Sequence, residues 1–173
     1  MIFKAKDFIL RPIELSDAKA YLKIMQDKES RKGFMSTPKN LKEVKEEIKE
    51  SISKSKSKPV KGEKYAIEIE GEFAGSVGIG HLNNKFHEHY GNIGYALDRK
   101  FRGKGITSKA LKILVKYWFK KYKLKRIEGT CRTFNKASAK VLEKAGFKLE
   151  GILKKNKFKD GKYLDDMIWA KVK

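Results

Sequence analysis

Cysteine and long apolar runs are scarce in this chain of 173 residues, acidic residues are outnumbered two to one by basic ones, and each shortfall excludes something. The single cysteine, Cys131, has no partner for an intrachain disulfide and no neighbour with which to build a thiolate metal cluster. No stretch approaches the roughly 18 consecutive apolar residues that a membrane span requires, and the N-terminus lacks the apolar core of a signal peptide. The expectation is a soluble protein with a cytoplasmic address and no membrane partner. Twenty-one Asp+Glu against 42 Lys+Arg leave a formal charge of +21, a field that attracts polyanions at low salt. The lysines run along the whole chain rather than in one block, which equally describes a solvated surface. The length suits a single domain over residues 1–173, large enough to bury a sizeable core.

The pattern of apolar residues predicts an alternation of strands and helices. Phe8 to Pro12 reads as a strand, and Ser16 as the cap of a helix through Ala20, Leu22, Ile24 and Met25. Thr37-Pro38 reads as the start of a second helix, with Leu41, Val44, Ile48 and Ile52 on one face. Ser53 to Lys64 reads as a solvated loop. Antiparallel hairpins follow over Tyr65–Ile69, Phe73–Leu82 and Gly91–Asp98. A third helix carries Ile106, Ala110, Leu111, Leu114, Val115, Trp118 and Phe119. Arg126–Cys131 reads as a strand, Asn135 as the cap of a helix that Gly146 ends, and Phe147–Phe158 with Tyr163–Val172 as a hairpin across Asp160-Gly161. This order calls for an α+β fold with a largely antiparallel sheet, and one parallel pairing around the helix after the glycine loop.

That loop, Arg102-Gly103-Lys104-Gly105-Ile106-Thr107, joins a strand to a helix start. Glycines there let backbone N–H groups approach a phosphate, and the helix terminus adds partial positive charge. Neither G-x-G-x-x-G nor a P-loop pattern occurs, so taken alone the loop reads equally as a tight connection.

Arg102-x-x-Gly105-x-Thr107 resembles the pyrophosphate-binding R/Q-x-x-G-x-G/A signature of the GNAT acetyltransferases. Leu10-Arg11-Pro12 with Ser16-Asp17-Ala18, Asn135-x-x-Ser138, Lys144-Ala145-Gly146-Phe147 with Glu150-Gly151, and Tyr163-Leu164-Asp165 resemble segments of its RimJ/RimL-like branch, which acetylates N-terminal amines of ribosomal proteins. The resemblance implies the GNAT acyl-CoA N-acyltransferase fold, a mixed sheet of about seven strands with four helices. It implies acetyl-CoA as co-substrate, held by Arg102, Gly103, Lys104, Gly105, Ile106 and Thr107 at the pyrophosphate. The backbone of Ala96 and Leu97 would bind the pantetheine arm and polarise the thioester carbonyl, with Asn135 on the arm's other side. Ser138 would donate a hydrogen bond to the departing thiolate. The acceptor would be a primary amine, with a protein N-terminus of the ribosomal-protein type favoured.

The sequence departs from the family at Asn92, where many members have a glutamate, at Leu142, near which many have a tyrosine acid, and at Thr107 in place of a smaller residue. Glu128 is carried as the catalytic base candidate, with Glu150, His81 and Asp165 as others, and each reads equally as a surface or hairpin residue. His87-Glu88-His89 with His81 offers no third strong metal ligand, and Cys131 reads as a small strand residue rather than a nucleophile. Two alternatives stand beside the protein acetyltransferase. One is a small-molecule acetyltransferase acting on a polyamine or aminoglycoside. The other is a basic RNA- or ribosome-associated binding module on the same scaffold. No spacing encodes the oligomeric state, and a homodimer stays open.

Overall fold

The computed structural model describes all of residues 1–173. Its strands are β1 (Phe3–Lys4), β2 (Ile9–Pro12), β3 (Glu63–Ile69), β4 (Glu72–Gly80), β5 (Tyr90–Leu97), β6 (Arg126–Arg132), β7 (Lys148–Lys159) and β8 (Lys162–Val172). The helices are α1 (Ala18–Gln26), α2 (Lys28–Gly33), α3 (Leu41–Lys56), α4 (Ile106–Lys121) and α5 (Lys136–Lys144). One sheet takes all the strands in the order β1-β2-β3-β4-β5-β6-β8-β7. Only the β5–β6 pair is parallel, and its crossover is α4, as a parallel connection requires.

The fold class expected from the sequence holds, with eight strands rather than seven and five helices rather than four. The additions are β1 and α2. Neither has a sequence signal, since β1 is two residues long and α2 is Lys-Glu-Ser-Arg-Lys-Gly, with no apolar face. The second helix starts at Leu41 instead of at Thr37-Pro38, because Asn40 accepts from the Glu43 N–H at 3.0 Å and Glu43 accepts from the Lys39 N–H at 2.8 Å. The Asn40 cap, with Glu43 also holding the Lys39 N–H, sets the helix start beyond the proline. The same helix continues to Lys56, into the segment read as a loop, supported by a 2.6 Å Lys54–Glu50 pair one turn apart. Ser16 caps nothing and is exposed. Its neighbour Asp17 is buried, accepting from the Glu14 N–H and from both terminal nitrogens of Arg11.

Both faces of the sheet are covered. On one, α4 and α5 pack Leu111, Leu114, Trp118 and Leu142 against Ile67, Val77 and Ile127. On the other, α1 and α3 bring Tyr21, Ile24, Val44 and Ile48 over Ala96. Leu142, fully buried, lies over Gly129, where an added Cβ would come 2.8 Å from its Cδ2. Leu142→Ala is therefore expected to cost about 2–5 kcal/mol, read as a lower urea midpoint at unchanged slope. The Glu70-Gly71 and Asp160-Gly161 turns both hold two successive residues at positive φ, the primed geometry that matches strand twist.

Candidate active site

β5 and β6 pair from Tyr90↔Arg126 to Ile93↔Gly129 and then part. β5 continues along β4 to Gly75↔Leu97, and β6 along β8 to Arg132↔Asp166. The two ends splay into a V, and the edge of β5 beyond Ile93 has no strand to bond on that side. The position of β5 is tightly set. A Cβ on Gly75 would overlap the Ala96 carbonyl oxygen and lie 2.9 Å from Leu97 Cα, so only glycine lets β4 approach this end.

Below the V lies the glycine loop. Asp98 accepts from the Lys100 N–H at 3.0 Å, and the Arg102 N–H closes a turn onto Arg99 at 3.2 Å. Gly103 and Gly105 then adopt φ of +82° and +72°, the left-handed region that glycine enters without penalty. The α4 ladder begins only with Lys109 N–H donating to Gly105. The N–H groups of residues 103 to 108, including those of Lys104, Ile106 and Thr107, have no backbone acceptor. A Cβ on Gly103 would meet nothing within 4 Å. The loop is thus an open ring of donors at the positive end of a 16-residue helix, fit for a pyrophosphate. The Arg102 guanidinium turns the other way, donating to the Leu97 carbonyl at 3.0 Å, Asp27 at 3.3 Å and Ser30 at 3.1 Å.

At the inner end of the V, Ser138 Oγ and Tyr95 OH share a 2.7 Å hydrogen bond, and Tyr95 also reaches the Ser138 carbonyl at 3.2 Å. Asn135 caps α5 by accepting from the Ser138 N–H at 3.1 Å. Burial holds the Tyr95 phenol well above its ordinary range, so it stays a donor. Burial likewise pushes the nearby Cys131 thiol up. Tyr95 is the residue that sequence reasoning passed over; its signal was its place immediately before Ala96, in Gly94-Tyr95-Ala96.

A groove of about 1190 Å³ leads to this point from the opposite face of the sheet. Its floor includes Gly78, Gly80 and Gly94, and a Cβ on Gly80 or Gly94 would meet nothing within 4 Å, so the missing side chains leave the channel free. Tyr95 and Ala96 close its inner end, and Met25, Phe34 and Asn92 line it. At its centre Glu47 accepts from Tyr21 OH and Lys64 Nζ, both at 2.7 Å. Every carboxylate in the groove is engaged: Glu47 in this way, Glu43 by the α3 cap, and Glu63 by Trp118 at 2.8 Å and Lys121 at 2.6 Å.

The acid–base candidates do not converge. Glu128 sits opposite Asn92 in register but accepts two bonds from Arg126, at 3.2 and 3.0 Å. Glu150 is held by the same arginine. Asp165 accepts from Lys155 N–H and Lys154. His81 lies on the groove wall. Leu142 faces the core, not the cleft.

The sequence matches the description Acetyltransferase (GNAT) domain over residues 7–148. Among curated relatives, the probable N-acetyltransferase YjcK of Bacillus subtilis is 45% identical over 78 residues, 45% of this chain and 43% of the relative. The ribosomal-protein-serine acetyltransferase of Escherichia coli is 38% identical over 80 residues, 46% of this chain and 45% of the relative. In both, the matched stretch spans less than half of the relative's length. Among solved structures, RimJ of Mycobacterium smegmatis, in complex with CoA-disulfide, superposes with a TM-score of 0.82 at 26% identity, covering 95% of this chain and 81% of that one.

Proposed function

Since the chain belongs to the GNAT acetyltransferase family, we propose that it transfers the acetyl group of acetyl-CoA to a primary amine, with a protein α-amine as acceptor. The observation that carries this is the V between β5 and β6, with an anion cradle at one end and the Tyr95–Ser138 pair at the other. The N–H groups of residues 103 to 108 take the pyrophosphate. The free edge of β5 at Ala96 and Leu97 bonds the pantetheine arm and polarises the thioester carbonyl, while Asn135 flanks the arm. Ser138 donates to the sulfur as the neutral amine attacks the thioester carbonyl and the C–S bond breaks; the proton lost from the nitrogen passes to solvent, and the thiolate takes one up to leave as coenzyme A thiol. Residues 1–173 act as one catalytic domain, in the cytoplasm where acetyl-CoA and new protein N-termini meet.

The acceptor class follows from what the groove withholds. Its carboxylates are all engaged, Asn92 is not a base, and Glu128 is clamped by Arg126. The groove's histidine, His81, lies one residue beyond the Gly80↔Asn92 pair and five residues on from Ser76, which pairs with Ala96, so it is not placed at the thioester end and the amine arrives neutral. An α-amine with pKa near 7.7–8.0 is roughly a quarter to two-fifths neutral at pH 7.5, against about one part in a thousand for a lysine-like amine. With a peptide acceptor, kcat/KM is expected to rise about tenfold per pH unit up to roughly pH 8 and then level. A profile that levels below pH 7 would reveal an enzyme base and remove this reason for an α-amine. A thiol-release assay across peptides, polyamines and aminoglycosides separates the acceptor classes, and no turnover with any, despite coenzyme A binding, would favour a binding module. Any association with RNA or ribosomes would be electrostatic, and loss of co-sedimentation at physiological salt would reduce it to nonspecific attraction.

A further inference from the structure

The Arg102 side chain belongs to the cofactor loop by sequence and to the acceptor side by contact. Its Nε holds the Leu97 carbonyl at 3.0 Å, while its Nη2 reaches Asp27 and Ser30 at the start of α2. Asp27 caps that helix, accepting from the Ser30 N–H at 3.2 Å. At the helix's other end Lys159, the last residue of β7, donates to the carbonyls of Arg31 at 2.5 Å and Phe34 at 2.6 Å. A Cβ on Gly33 would lie 3.4 Å from Asn135 Nδ2, so α2 also abuts the start of α5. Phe34, which ends α2, lines the acceptor groove. This six-residue helix with no apolar face of its own is held in place by what it is tied to.

We infer that Asp27 and Arg102 are positioning residues whose pairing ties α2, and with it the groove wall at Phe34, to the cofactor loop, so that filling the cradle firms the acceptor site. The inference rests on the acetyltransferase reading. The Arg102–Asp27 pair is part-exposed, at 35% and 25% of the side chains, and such a pair contributes little to global stability. Its role is coupling. Ligand contact with the N–H groups of residues 103 to 108 restrains the loop, Arg102 carries that restraint to Leu97 and Asp27 together, and motion lost at one site need not be lost again at the other. The acceptor then binds better to the loaded enzyme, and by reciprocity the cofactor binds better when the acceptor is present.

The test is hydrogen exchange of the full chain with and without saturating coenzyme A, in the parent and in the double variant Asp27→Ser, Ser30→Ala. Serine at 27 keeps a helix cap for the residue 30 N–H but is too short to reach Arg102, and alanine at 30 removes the second bond from Arg102, so the double variant keeps α2 capped while cutting both ties. In the parent, coenzyme A is expected to slow exchange over residues 103–109 and also, by about fivefold or more, over residues 28–34. In the double variant the first effect stays and the second disappears. Protection of 103–109 with none at 28–34 in the parent overturns the coupling, as does protection of 28–34 that survives the two substitutions. No protection at 103–109 in the parent is a different failure, which takes down the cofactor site and the coupling together.

Discussion

Ser138→Ala is expected to lower turnover by roughly tenfold to a thousandfold, with acetyl-CoA affinity changed by less than about twofold. The asymmetry follows from when the bond matters. A neutral thioester sulfur is a poor acceptor, whereas a thiolate gathering charge is a strong one, so the hydroxyl stabilises the transition state far more than the bound substrate. The protein should tolerate the change, because Tyr95 OH keeps a second acceptor in the Ser138 backbone carbonyl at 3.2 Å and is not orphaned. Tyr95→Phe supplies the control. If the phenol rather than the serine faces the sulfur, it is Tyr95→Phe that slows the reaction, and Ser138→Ala leaves the rate near that of the parent. Single-turnover measurement with both variants decides, since it isolates chemistry from product release.

Gly105→Glu is expected to weaken acetyl-CoA binding by on the order of a hundredfold, about 2.7 kcal/mol. Two effects must be separated here. Any side chain at φ +72° is strained, and a carboxylate would in addition set a negative charge among the donors of residues 103 to 108. Gly105→Gln has the same size and the same strain without the charge. The difference between the two variants in calorimetric titration with coenzyme A therefore reports the electrostatics of the cradle alone. Equal affinities in folded Glu and Gln variants would place the pyrophosphate elsewhere.

Legibility from the sequence tracked how local each physical cause was. The turn at the start of α4 could be read because its determinants are consecutive, two glycines and then a helix start, whereas its reading as a pyrophosphate cradle came only with the family resemblance. The two glycine hairpins and the Gly146 stop could be read for the same reason. The close approach of β4 to Ala96 and Leu97, which sets one arm of the V, was not legible, because it depends on Gly75, more than 20 residues away in sequence. Arg102 was legible as a position, but its partners Asp27 and Ser30, more than 70 residues away, were not. Helix α2 escaped because periodicity detects amphipathic helices and this one has no apolar face. The engaged state of Glu47 and Glu128 was invisible for a further reason. A sequence shows that a carboxylate exists, not that a lysine or arginine from another element has already claimed it.

The two ends of the sheet show a use for part of the surplus charge that requires no partner. An unpaired edge strand is a template for another chain. At one end the edge is β1, two residues long and too short to recruit a neighbour. At the other it is β7, 12 residues with Leu149, Ile152, Leu153 and Phe158 exposed, the kind of strand that invites stacking into fibres. Yet β7 carries Lys148, Lys154, Lys155, Lys157 and Lys159 and is interrupted by two register shifts against β8. A second copy laid along it would bring like charges together on a strand too irregular to match. Lysines placed this way on β7 oppose the pairing of a second copy along an apolar edge.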